Sequence, residues 1–346
     1  MTALATEHVR ELAARKSGAY ELLLALEENP HADESCFRSL ALIVDWIASH
    51  PISLEGGTLD DLRLFVRSQT QDLASTLPVL ALALSEAANP GRMRVLLTGY
   101  ANWLREISGL ARPHFLGILP NIAANLDELE GGGLEKLIAC LNACSCAEDC
   151  ELLAECVGRY QETSGSILLA AAEIAGLAIR TDSRPLVQKL MIAVTPEAMV
   201  DSKAARELLP ALARLKTAGG KWTGSEPGRH ELVWKGAISV CVEVAAINHS
   251  SALHLARHLR EALAKLTVER QLAYLNSFQG LIEAAGTSLL GYGTTQLPAL
   301  FQEVGDERAL QFVAQGIAIA RRYGRVAAEE FFEQRSGASR QALPAG

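Results

Sequence analysis

Five of the seven cysteines lie in one short stretch: Cys140, Cys144, Cys146, Cys150 and Cys156. Ser145 followed by Glu148 has the spacing of a capping box. One helix is therefore expected to end near Cys144 and the next to begin at Cys146. Cys140 and Cys144 then share one face of the first helix, and Cys146 and Cys150 one face of the second. A tight turn would bring four sulfurs together, the thiolate set that zinc or an iron–sulfur cluster takes. The pairs are four residues apart and no Cys-x2-Cys knuckle is present. The same residues therefore also suit the other habit of cysteine, packing as a small hydrophobe between helices. Cys146 would sit at the positive end of a helix dipole, which lowers a thiol pKa, and is the candidate reactive thiol.

A second polar constellation is His254, His258 and Glu261. The spacings of four and three put all three on one helical face. Two imidazoles and a carboxylate form a metal-binding set. The metalloprotease pattern is excluded, because Leu255 stands where the general-base glutamate follows the first histidine. Leu253, Leu255, Leu259 and Leu263 are the expected core of this helix, which leaves the histidine face towards solvent.

Other motifs fall short. Gly219-Gly220-Lys221 is followed by Trp222 rather than Ser or Thr, and no strand precedes it, so it is not a phosphate loop. Gly286 to Gly293 reads as a loop before a helix near 295–303, without the setting of a dinucleotide fingerprint. No Gly-x-Ser-x-Gly elbow occurs. Asp45, Glu173 and Glu243 sit within apolar helices, from distant segments, and belong at the edges of buried stripes. Trp103, Trp222 and Trp234 are candidate anchors for a protein partner, or core residues.

These groups must be carried by helices. Apolar residues recur at helical spacing over 37–49, 59–70, 91–107, 134–144, 146–160, 165–180, 250–265, 267–285 and 306–323, between Gly/Pro/Asn breaks. The composition agrees: 49% of 346 residues are hydrophobic but only 5% aromatic, and Leu and Ala favour close helix-on-helix packing. Residues 231–248 alternate Ile238, Val240, Val242 and Val244 as a strand would. A helix is expected there because an isolated strand has no partner. The fold class is all-α: a superhelical array of antiparallel helix pairs, as in HEAT-like repeats. The expected organisation is a repeat segment over 1–216, a Gly-rich hinge at 217–230, a second repeat segment over 231–335 and a flexible tail at 336–346.

Charge and hydropathy narrow the function. A net charge of −8 disfavours a nucleic-acid binder. The longest apolar run, Ile167 to Ile179, contains Glu173 and is too short to span a membrane. An odd number of cysteines with no secretory leader points to the cytoplasm.

The C-terminal part reads Ala309-Leu310-Gln311-Phe312-Val313, Gly316, Ala320-Arg321-Arg322, then Ala327, Ala328, Phe331, Phe332, Ser336 and Ser339. This resembles the helical repeats in the N-terminal part of von Willebrand-A-type proteins that work with MoxR-class AAA+ ATPases. Those repeats pair a Gly-containing helix with an Ala-rich helix ending in aromatics. The stretch from Thr267 to Leu300 fits the preceding repeat more loosely. The family's Asp-x-Ser-x-Ser metal-adhesion motif is absent, so no functional site carries over. The resemblance implies a protein-binding adaptor whose partner is such an ATPase or its client. The expected function is a non-enzymatic scaffold of protein–protein interaction. The alternatives are a metal- or thiol-binding helical protein, holding Zn or Fe–S, and a helical enzyme or small-ligand binder.

Overall fold

The structure, a computed structural model, describes residues 17–49, 60–68, 73–87, 89–126, 128–129, 132–217, 227–303 and 306–338. Every regular element among the described residues is helical. The chain divides into two compact units, Met1–Gly176 and Leu177–Gly346.

The first unit contains α1 (Ser17–Glu27), α2 (Glu34–Ser49), α3 (Asp60–Ser68), α4 (Leu73–Ala87), α5 (Pro90–Glu106), α6 (Arg112–Ile122), α7 (Gly133–Asn142) and α8 (Ala147–Arg159). The next helix, α9 (Gly165–Arg180), carries the point of division. Each helix packs on the one two places along: α1 on α3, α3 on α5 and α5 on α7 in one row, with α2 on α4, α4 on α6 and α6 on α8 in the other. The rows meet through pairs such as α1 with α2 and α4 with α5. Leu77, Leu80 and Leu84 of α4 are buried between its neighbours, and burying each such side chain contributes roughly 1.5–3 kcal/mol.

The second unit repeats the pattern with α10 (Arg184–Ala193), α11 (Pro196–Asp201), α12 (Lys203–Arg214), α13 (Pro227–Ala245), α14 (His249–Ala264), α15 (Val268–Ala285), α16 (Leu290–Glu303), α17 (Asp306–Tyr323) and α18 (Arg325–Ala338). Here α10, α13, α15 and α17 form one row, and α12, α14 and α16 the other.

Side-chain amides link the rows lengthwise. Asn29 Nδ2 donates to Val66 O (2.6 Å), joining the ends of α1 and α3. Asn125 Nδ2 donates to Gln161 O (2.8 Å), just beyond α6 and α8. Asn142, the last residue of α7, donates to Glu106 O (2.9 Å), the last residue of α5. Gln302 Nε2, near the end of α16, donates to Lys265 O (2.6 Å), just past α14. In each case C-terminal end meets C-terminal end, so the linked helices run the same way. The ion pairs Glu21–Arg63 and Glu28–Arg67, in ascending order on both helices, give α1 and α3 the same sense.

The turns are set by ordinary caps. Asn89 accepts from Arg92 N–H (2.9 Å) with Pro90 at the first helical position, and Asn248 accepts from Ser251 N–H (2.8 Å). One expectation needs revision: Gly286–Gly293 is not a loop, because a single 3-10 turn, Gly286–Leu289, leads directly into α16 at Leu290. Gly293 lies inside α16, where the Phe278 ring occupies the place a Cβ would take.

The stretch at 231–248 is helical as expected, through Ala245, and owes its strand-like alternation to burial on several sides. Ile238, Val240, Val242 and Val244 are all buried in α13, as are Ala237 and Cys241, because α13 packs on α10, α14 and α15.

The two compact units divide inside α9, and most of the expected hinge at 217–230 lies outside the described residues. The described flanks of that segment belong to one unit: Trp234 Nε1 donates to Leu212 O (3.0 Å), and α12 packs on α14. Residues 218–226, including Trp222, and the tail from 339 onwards lie outside the described residues.

No helix among the described residues is long and apolar enough to cross a membrane.

Candidate functional site

The cysteine cluster straddles the turn between α7 and α8. Cys146 is the residue that precedes α8, with extended backbone (φ −146°, ψ 168°). The Ser145–Glu148 box does not form; Ser145 Oγ instead donates to Asp149 Oδ2 (3.0 Å), a carboxylate only 2% exposed. Cys140, Cys144, Cys150 and Cys156 are buried. Cys144 Sγ lies 3.6 Å from Cys140 O, and Cys150 Sγ 3.9 Å from Leu141 O. The thiols thus point at carbonyls in the last turn of α7, and that of Leu141 also accepts from Cys144 N–H (3.1 Å).

This environment suppresses thiolates. Burial, with the neighbouring Cys150, Asp149 and Cys140 adding to it, pushes the Cys144 thiol up to about 12. Burial raises Cys150, and pushes Cys156 up to about 12. Cys146, expected to be acidified by the helix dipole, is raised instead. The Asp149 backbone bond pulls it down, but the Glu148 and Asp149 side chains, with the Asp149 charge, outweigh that pull. Among the described residues no three His, Cys, Asp or Glu side chains are grouped so as to hold a metal ion.

On α14, Leu253, Leu255, Leu259 and Leu263 are buried, as their spacing predicts. His254 is exposed and His258 half-buried, with ring centroids 4.0 Å apart and planes tilted by 43°. Glu261 is exposed one turn further on. Ser250, Ser251, His254, Leu290 and Thr294 line a cavity of about 330 Å³ beside the first imidazole. Thr294 Oγ1 donates to Leu290 O (2.9 Å) within its own helix.

Two of the three candidate anchors, Trp103 and Trp234, are core residues. Trp103 is 6% exposed and Trp234 3%, the latter with Lys216 Nζ 5.5 Å from its ring centroid. Neither presents a face to a partner. Large apolar side chains that do face solvent include Ile192 (76% exposed) and Val200 (79%). Asp45 is exposed; Glu173 and Glu243 are half-buried, and Glu243 pairs with Lys189.

Sequence reasoning missed the amide links. Asn125, Asn142 and Gln302 look like ordinary helix-end residues, and their partners stand 36–37 residues away. A search for Asn or Gln recurring at helix ends would have been the available signal. No protein-family model matches the chain, and no curated protein matches it by sequence.

Proposed function

We propose that the chain is a non-enzymatic helical-repeat scaffold: a superhelical, HEAT-like array of antiparallel helix pairs that docks a protein partner in the cytoplasm. The observation that carries this reading is the recurrence of links at 34–37 residues, from Asn142–Ser108 to Asn29–Val66, in step with packing of each helix on the second one along. That is the length of one helix pair, and such stacks display successive helices along an extended binding surface. A net charge of −8 speaks for a protein partner over nucleic acid. The free, buried thiols suit a reducing compartment.

The resemblance of 309–339 to the helical part of MoxR-associated proteins supports an adaptor linking a client to an AAA+ ATPase. Affinity capture of the tagged chain from its native lysate, with and without ATP, tests this. Enrichment of one AAA+ ATPase or one client complex, reproduced with purified components, supports the adaptor. Capture without any specific partner rejects it.

A further inference from the structure

We propose that His254 and His258 form a two-imidazole chelate for a first-row divalent transition ion on the outer face of α14. The two side chains stand one helical turn apart and converge, with centroids 4.0 Å apart. Zinc binds imidazole nitrogen at about 2.0–2.1 Å, so two ligands meeting at one ion must lie side by side, as these do. Both are accessible: His254 is exposed and His258 half-buried. The helix beneath is fixed by Leu255 and Leu259, at 1% and 0% exposure, so the pair rides on a rigid support. Arg257, next to His258 in the chain, is engaged by Glu207 (2.8 Å). The cavity beside His254, lined in part by Ser250 and Ser251, leaves room for waters on the remaining coordination positions.

Imidazole selects the ion. Two nitrogen donors favour Cu²⁺, Ni²⁺ and Zn²⁺, in the order of the divalent series, over Mg²⁺ and Mn²⁺, which prefer oxygen. The chelate needs both rings, so removing either leaves a monodentate site.

The test is calorimetric titration of the chelator-treated full chain with Zn²⁺, Ni²⁺, Mn²⁺ and Mg²⁺ in turn. Wild type, His254→Ala, His258→Ala and His258→Gln are compared, each checked for helicity by circular dichroism. The expected result is one equivalent of Zn²⁺ or Ni²⁺, negligible Mg²⁺, and loss in every variant. That loss should be at least about tenfold, the lower end of what even outer-shell partners of metal sites contribute. Cobalt substitution separates the sites: histidine ligation gives no thiolate-to-cobalt charge-transfer band. Binding that survives both alanine variants, a thiolate band, or no saturable binding overturns the proposal.

Discussion

The Phe332 ring of α18 fills the space above Gly316 of α17: a Cβ at Gly316 would stand 2.0 Å from the ring's Cζ. Phe332 is 1% exposed and cannot step aside, because Tyr292 and Phe312 pack against it at centroid distances of 4.6 and 5.5 Å. Gly316→Ala should therefore cost stability, by about 1–3 kcal/mol as overpacking does. Phe332→Ala opens a cavity and should cost about 3–5 kcal/mol. The double variant should lose less than the sum, because the added methyl enters the vacated space. Urea denaturation of the four proteins measures the coupling; strict additivity would contradict the contact.

Asn142 accepts from Ser108 N–H (2.7 Å) and donates to Glu106 O (2.9 Å). The site is solvent-exposed, so each bond contributes at the modest end. Asn142→Ala should cost about 0.5–1.5 kcal/mol. Gln279→Ala, whose amide only meets the exposed Glu283, should change stability by less than about 0.5 kcal/mol. Equal effects of the two substitutions would show that the link between α5 and α7 contributes nothing.

Thiol reactivity should follow burial. At neutral pH a maleimide should label Cys146 first, and more slowly than a free cysteine, because its thiol is raised. Cys144, Cys150 and Cys156 should remain unlabelled until denaturant is added. Peptide mapping by mass spectrometry reads the order, and rapid native labelling of Cys150 would contradict it.

Acid should weaken the start of α2. Ser35 Oγ–H and Cys36 N–H both donate to Asp33, holding its carboxyl down at about 2. A carboxylate depressed in the folded state stabilises it fully above the unfolded value of about 3.9, and that stabilisation is lost as pH falls towards about 2. Asp33→Ala should cost about 0.5–2 kcal/mol at neutral pH, as loss of an N-cap does, and less at pH 2. Thermal melts at both pH values test the difference; an equal cost at both would contradict it.

The helices were legible because burial on one side writes a 3.6-residue period into the chain. The stretches at 165–180 and 306–323 coincide with α9 and α17. Short helices with internal proline, such as α6 with Pro120 and α12 with Pro210, were harder to delimit. The cysteine spacing was read correctly as two helix ends, but not the direction of the sulfurs. Whether Cys144 meets a metal or the Cys140 carbonyl depends on how the turn closes, which spacing leaves open. Cys146 misled because the carboxylates of Glu148 and Asp149 occupy the same helix end and reverse the effect of the dipole. Gly316 and Phe332 are partners in packing, a relationship that their spacing in the sequence does not reveal.

The amide links span 36–37 residues, and neighbouring helices supply most of the packing. Such locality lowers the loop-closure entropy that must be overcome before contacts reward it. Each unit can therefore begin folding at any helix pair and grow outwards as the chain leaves the ribosome, with no distant segment to wait for.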